Sequence, residues 1–300
     1  MTVTPATAEG SRPSGSRNLF PFVLLLPGLA MFLAVVVYPL ASALVSGFFA
    51  QSLVEPGRRF VGLQNYADVL SDQFLPVFEH TVVFAGATTL ASFVIGLGLA
   101  LALNGGIRGQ GFLRGLFLFP WVVPSVVVSF LWLWIFNGDY GVLDALLLKL
   151  HLVHDRITWL GEPGTAMAAV VVAKTWASFP WMMVMLLAGL QTTPAELHEA
   201  AQVDGAGSIR RFFTVSWPHI RGIAGIVLLL ELIWNLQHFD MIYVLTGGGP
   251  AGATTTFAVA VYQAAFQGFD LGHAGALGGL WMVILMALVV VYVRRSERSA

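Results

Sequence analysis

The chain has 300 residues, 57% of them apolar and only 10% charged, against about 25% charged in an ordinary soluble domain. That composition indicates a membrane protein. The net charge of −1 gives no electrostatic basis for nucleic-acid binding, and the absence of cysteine excludes disulfides, thiolate catalysis and cysteine-ligated zinc.

Residues 1–18 are mostly small and polar and read as a disordered cytoplasmic tail. Residues 19–54 carry no charge. That run is far longer than the roughly 7–15-residue core of a secretory signal, so a retained span is expected. A helix needs about 20 apolar residues to cross a bilayer. Six stretches qualify: 20–45, 81–103, 115–136, 165–190, 223–245 and 271–293. The expected fold class is an all-α membrane protein with six transmembrane helices. Residues 19–75 form the first helix and an outer segment, 76–293 a core of five helices, and 294–300 a cytoplasmic tail.

Orientation follows from the basic residues. With the N-terminus inside, Arg12, Arg17, Arg108, Arg114, Arg210, Arg211, Arg221, Arg294, Arg295 and Arg298 fall on the cytoplasmic side. Arg58, Arg59, Lys149 and Arg156 fall outside, and Lys174 lies within a span. Both termini and the segment 193–218 are therefore expected in the cytoplasm.

The third stretch contains Pro120 and Pro124, four apart, which predict a bend with freed carbonyls. Residues 137–164 read as a solvated loop; His151, His154 and Asp155 there make a poor metal-ligand set. In the fourth stretch Lys174 sits about ten residues deep, where a charge costs at least ~2.5 kcal/mol on insertion scales. Trp176, Pro180 and Trp181 accompany it. A sugar ring stacks on aromatic faces, so a cavity or gate is one reading of this group. Structural pairing of Lys174 with Glu231 is the other.

Residues 193–218 are the longest polar interval between apolar stretches. Thr193, Pro194 and Glu196 spell a helix start, with Thr193 as N-cap and Glu196 as its capping-box partner. Gly205 offers the positive φ that stops it. A second amphipathic turn is expected from Ser208, with Ile209, Phe212, Phe213 and Ser216 on one face and Arg210 and Arg211 on the other. Two capped helices with a glycine joint suggest a docking element.

In the fifth stretch Glu231, Trp234, Asn235 and His238 share one face at helical spacing. Such a face avoids lipid. It lines a pathway or a subunit interface on one reading, and forms a structural polar seam on the other. Residues 246–250 (TGGGP) end a helix decisively; without GK[ST] they are no phosphate loop. In the last stretch Gly275 and Gly279 permit close helix approach. No Ser-His-Asp, HExxH or paired-carboxylate arrangement is present, so no enzyme is expected. No convincing repeat of the two halves argues for a self-sufficient secondary transporter, which remains the alternative of a different class.

Glu199-Ala200-Ala201, Asp204-Gly205-Ala206, Phe212 and Pro218 resemble the EAA loop of ABC importer permeases. The match departs at Gly222, where many members carry a second proline. The string FDMIYVLTGGGP (239–250) looks like the signature of carbohydrate uptake permeases related to maltose and glycerol 3-phosphate importers. FVGLQNY (60–66) resembles the segment after their first span; taken alone, the stretch reads as a short interfacial helix with aromatic anchors.

The resemblance implies a type I ABC importer permease fold with cytoplasmic coupling helices, in a prokaryotic cytoplasmic membrane. It implies a second permease subunit, forming a heterodimer, two copies of an ATPase subunit, and an extracytoplasmic substrate-binding protein. ATP and magnesium would bind the ATPase, leaving this chain without cofactor or metal. Glu199 would meet a basic group on the ATPase, Asp204 would brace the bend and Gly205 permit it. Favourable placement in the N-terminal half of a helix is a further reading of Glu199. The substrate would be a mono- or disaccharide, with a polyol or glycerol 3-phosphate as the alternative. No arginine falls within the six stretches, which favours a neutral sugar.

Overall fold

The computed structural model describes residues 20–106 and 108–297. The expected tail 1–18, with Arg12 and Arg17, and Arg298 at the other end lie outside the described residues. Among the described residues five helices are long and apolar enough to cross a membrane: Leu24–Ser46, Phe74–Asn104, Pro163–Gln191, Ser208–Leu236 and Leu271–Arg294. The pair Gln110–Val122 and Ser125–Ile135 is long and apolar enough only when taken together, and its halves meet at 93°, the geometry of a broken span or a re-entrant loop. Numbered in chain order, these are spans 1 to 6, with the broken pair as span 3.

Three expectations need correction. Span 3 is broken rather than bent, and only one proline breaks it. Pro124 disfavours the α region for the residue before it, and Val123 is extended at ψ 132°. Pro120 stays inside the first half and is buried. Span 5 runs from Ser208 to Leu236, not over 223–245. Its first turns are polar but helical, and a wide turn at Phe212–Ser216 carries them into Trp217–Leu236. The chain leaves the helix at Gln237 (φ −109°), so the expected last turns fall instead in a short helix, Asp240–Thr246. Arg114, Arg210, Arg211 and Arg221 consequently lie on helices, near the end that carries the 193–207 connection. Span 6 continues helically to Glu297, so the expected tail begins later than 294.

Spans 2 and 4 form the centre. Gly96 lets their backbones meet: a Cβ there would lie 2.9 Å from both Met182 Cβ and Met183 N. Around this contact Ala100, Leu103, Leu186, Ile220, Ala224 and Val227 are buried at the connection end. At the opposite end Phe84, Val128, Val170, Met241 and Ile242 make a second cluster. A third joins span 6 to span 2, with Phe257 stacked on Trp281 at 4.4 Å. Span 1 has none of its most apolar stretch buried.

Residues 46–80 hold a strand pair beside the short helix expected there. Phe49–Gln51 pairs antiparallel with Arg58–Phe60, and helix Gln64–Asp72 follows. Asn65 Nδ2 donates to the carbonyls of Gly47 and Phe49, each at 3.0 Å. Gly275 is a true close approach: a Cβ would meet Ala43 O at 2.5 Å and Gly47 N at 2.7 Å. Gly279 faces the Tyr66 hydroxyl, so the small-residue pair serves packing within the chain. Residues 137–164 are also not simply a loop. Helix Val142–Lys149 carries a fully buried Asp144, whose Oδ1 accepts from Trp159 Nε1 at 2.8 Å. His151, His154 and Asp155 are exposed.

Candidate functional site: a docking loop and a buried polar seam

The loop at 193–218 folds as one helix and the start of another. The first spans Ala195–Val203. Its N-cap is Pro194, extended at ψ 135°, so Thr193 lies one residue too early. The expected capping box does not form, and Thr193 Oγ1 is buried without a partner. The other end closes as expected. Gly205 adopts φ +78°, Ala206 N–H donates to Ala201 O at 2.9 Å, and Gly205 N–H donates to Gln202 O at 3.0 Å. That pair of bonds is the Schellman motif, which satisfies carbonyls the helix would otherwise leave free.

The second helix is not an independent element; it opens span 5. Arg211 ties it back, donating to Gln202 Oε1 at 3.5 Å and Ser208 Oγ at 3.4 Å. Trp217 N–H reaches Phe212 O across the wide turn, just before Pro218, which has no N–H to offer. This turn alters the face expected for the second helix: Ser216 is buried and Phe212 half-buried, while Ile209 and Phe213 are 78% and 62% exposed. Ala201 and Ala206 are half-buried, and Glu199, Ala200, Asp204 and Pro218 are exposed. Leu197 and Val203 are exposed as well, Val203 at 88%. The loop thus presents large apolar side chains flanked by carboxylates, on a backbone fixed by its own hydrogen bonds.

Deep between the spans lies a polar seam. Glu231 and Asn235, one turn apart on span 5, are both buried. Asn235 Nδ2 donates to Glu231 Oε1 at 3.2 Å and to Thr89 Oγ1 of span 2 at 3.0 Å. Lys174 of span 4 is within electrostatic reach of Glu231, Asp240 and His238. Among the described residues no hydrogen bond joins Lys174 to Glu231. Asp240 accepts from Ser125 Oγ at 2.9 Å, which links the helix after span 5 to the break in span 3.

The remaining expected pathway residues are not all together. Trp181 meets Trp234 edge-on at 4.8 Å, and Trp234 is half-exposed. Trp176 packs elsewhere, against Trp132 at 6.0 Å. His238 does not continue the helical face of Glu231, because the helix ends at Leu236. Its ring instead stacks on Phe84 at 6.2 Å. Sequence reasoning missed Thr88, Thr89, Ser92 and Thr175, all buried, as is Ser178, which accompanies Lys174 on span 4. Thr88, Ser92 and Thr175 have hydroxyls without a partner. The available signal was the Ser/Thr run Thr88, Thr89 and Ser92 at one-turn spacing on span 2.

The glycine-rich turn ends Asp240–Thr246 with Gly247 at φ +61° and Gly248 at φ +94°. Its carbonyls are all claimed: Gln263 Nε2 donates to Gly247 O, Thr255 Oγ1 to Gly248 O, and Thr254 Oγ1 to Gly249 O. A Cβ at Gly248 would lie 2.8 Å from Thr255 Oγ1. The turn is a structural knot that fixes the short helix Phe257–Tyr262 against spans 2 and 6. No group of three His, Asp or Glu among the described residues is placed to hold a metal ion.

Comparison with known proteins bears on both features. A sequence profile described as binding-protein-dependent transport system inner membrane component matches residues 92–297, which include the loop and most of the seam. The chain is 35% identical over 279 residues to the sulfoquinovosyl glycerol transport system permease protein SmoG of Agrobacterium fabrum, covering 92% of this chain and 90% of that one. It is 35% identical over 274 residues to the trehalose/maltose transport system permease protein MalF of Thermococcus litoralis, covering 91% and 92%. The sn-glycerol-3-phosphate permease protein UgpA of Agrobacterium fabrum is 32% identical over 284 residues, covering 94% and 96%. In fold, the chain superposes with a TM-score of 0.81 on a chain of a bacterial ABC transporter that imports alginate, at 22% identity and covering 94% and 96%.

Proposed function

The chain belongs to the family of binding-protein-dependent transport system inner membrane components, and from that premise we propose that it forms the pathway for a neutral sugar. Family membership makes it the permease subunit of an ABC importer with a type I permease fold. The finer reading is ours. A binding protein delivers the sugar to the end of the bundle opposite residues 193–218. A second permease chain completes the pathway, and two ATPase subunits power it. The charge distribution supports an orientation with 193–218 and both termini in the cytoplasm.

One observation carries this reading. The same chain holds a rigid loop with exposed apolar side chains at one end and a buried, hydrogen-bonded polar seam in its middle. An exposed apolar patch marks an interaction site. Ionisable groups inside a membrane mark a transport route. On this reading ATPase closure pushes the loop, the loop is continuous with span 5, and span 5 carries Glu231 and Asn235. Motion at the dock therefore reaches the seam along one helix.

The relatives named for sn-glycerol 3-phosphate favour a second substrate reading, an anionic polyol. Lys174 is the sole cation predicted within the apolar stretches, which favours the neutral ligand. Uptake by the intact complex carrying Glu231→Ala or Asn235→Ala tests the assignment. Loss of uptake or a changed substrate range is expected in both. Wild-type uptake and range in both would remove the pathway role.

A further inference from the structure

At the end of the bundle opposite residues 193–218 lies a cavity of about 630 Å³ that the seam does not include. It is bounded by the start of span 2 (Gln73, His80), the turn after the glycines (Thr255), Gln263, and the start of span 6 (Asp270, His273). Small-molecule sites commonly occupy roughly 300–1,000 Å³. Two of its side chains are unsatisfied: His80 Nδ1 and His273 Nε2 are buried ring nitrogens with no hydrogen-bond partner. The other polar groups are partly committed inward. Asp270 Oδ1 accepts the backbone N–H of His273 at 2.9 Å, Thr255 Oγ1 donates to Gly248 O, and Gln263 Nε2 donates to Gly247 O. These bonds hold the wall in place, and the two half-buried imidazoles, each with one ring nitrogen unpartnered, keep hydrogen-bonding capacity beside it.

We propose that this cavity is an entry subsite that binds the hydroxyl groups of a neutral sugar or polyol before it reaches the seam. The chemistry follows from the lining. A neutral imidazole offers one donor and one acceptor, and a hydroxyl offers both in return. Two such rings with an amide and a hydroxyl suit a polyhydroxylated ligand. The charged lining residue is the carboxylate Asp270; neither lysine nor arginine lines the cavity. A phosphate or carboxylate would face that charge without a cation to offset it. Arg58 and Arg59 line a separate groove beyond Asp270, where Arg58 sits 3.7 Å over the Phe49 ring. Three His, Asp or Glu ligands in metal-binding arrangement are absent among the described residues. The subsite rests on the neutral-sugar reading above and sharpens it, since it selects before transport begins.

The chain has no cysteine, which gives a direct test. Ala264→Cys places one thiol on the cavity wall. It is labelled with a methanethiosulfonate reagent in the full complex with its permease and ATPase partners, without binding protein. Glucose, maltose, trehalose, glycerol and sn-glycerol 3-phosphate are each added at millimolar concentration. At least one neutral compound should slow labelling about fivefold, and sn-glycerol 3-phosphate should not. Adding His80→Phe and His273→Phe should abolish the protection in a complex that still co-purifies intact with its partners. Equal labelling with every compound, protection by sn-glycerol 3-phosphate, or protection that survives both substitutions overturns the subsite. Binding-protein-dependent uptake by the same complex separates the two claims. Neutral-sugar uptake without protection removes the subsite alone, whereas anionic uptake without neutral uptake removes the pathway assignment as well.

Discussion

Gly96 shows how much one missing side chain decides. Its backbone touches span 4 so closely that a Cβ would meet Met182 and the Met183 nitrogen at 2.9 Å. Gly98, two residues on, has nothing within 4 Å of that position. Gly96→Leu should therefore cost about 1–3 kcal/mol through overpacking, while Gly98→Leu stays near neutral. Thermal unfolding of the purified complex in detergent checks the pair, and equal midpoints would contradict the packing described. Sequence alone does not separate these two glycines, because nothing local marks which one faces a neighbour. The seam was half legible for the same reason. Glu231 and Asn235 stand out as polar residues in an apolar run, but Thr89, 146 positions away, is found only once spans 2 and 5 are packed. His238 was misplaced because the projection assumed a helix that in fact ends at Leu236.

Two elements convert local chemistry into shape. In span 3 Pro124 holds Val123 extended, and the two halves meet at 93°. The break places Ser125 against Asp240. Pro124→Ala should let the halves approach a continuous helix and separate that pair. The expected outcome is a loss of uptake of about tenfold or more with membrane insertion intact, since ~1.4 kcal/mol per tenfold is within reach of one repositioned element. Uptake normalised to membrane-inserted protein checks it, and unchanged uptake would mean that the break is dispensable. In the loop Gly205 holds φ +78°. Gly205→Ala should add roughly 1–2 kcal/mol of left-handed strain at the Schellman turn. Limited proteolysis of the complex should then cut at residues 203–207 sooner than in the parent chain. The helix stop was readable from Gly205 itself. The helix start was not, because Thr193 suits the N-cap and Pro194 the first helical position, and only the backbone shows that Pro194 itself stands at the cap.

For the whole molecule, composition and charge placement foretold a membrane bundle with an elaborated connection at 193–218. Five spans and one broken pair answer to the six apolar stretches. What the sequence hid are features made by packing between distant segments: the two-stranded hairpin, the buried Asp144–Trp159 bond, and the cavity between spans 2 and 6. Each needs residues tens of positions apart or a strand too short for periodicity to show. The glycine-rich turn carries a family signature, and its hydrogen bonds tie the end of Asp240–Thr246 to the segment that holds Phe257–Tyr262.

On the proposed function, residues 193–218 transmit the motion of a separate ATPase to the seam through span 5. Glu199 is exposed on that loop beside the apolar side chains Leu197 and Val203. Co-purification of the ATPase subunit with the Glu199→Lys chain, together with transport-coupled ATP hydrolysis, tests it most directly. The charge reversal should strip ATPase from the complex or uncouple hydrolysis from uptake, while the permease still folds and inserts. Full ATPase recovery with wild-type coupled transport would contradict it.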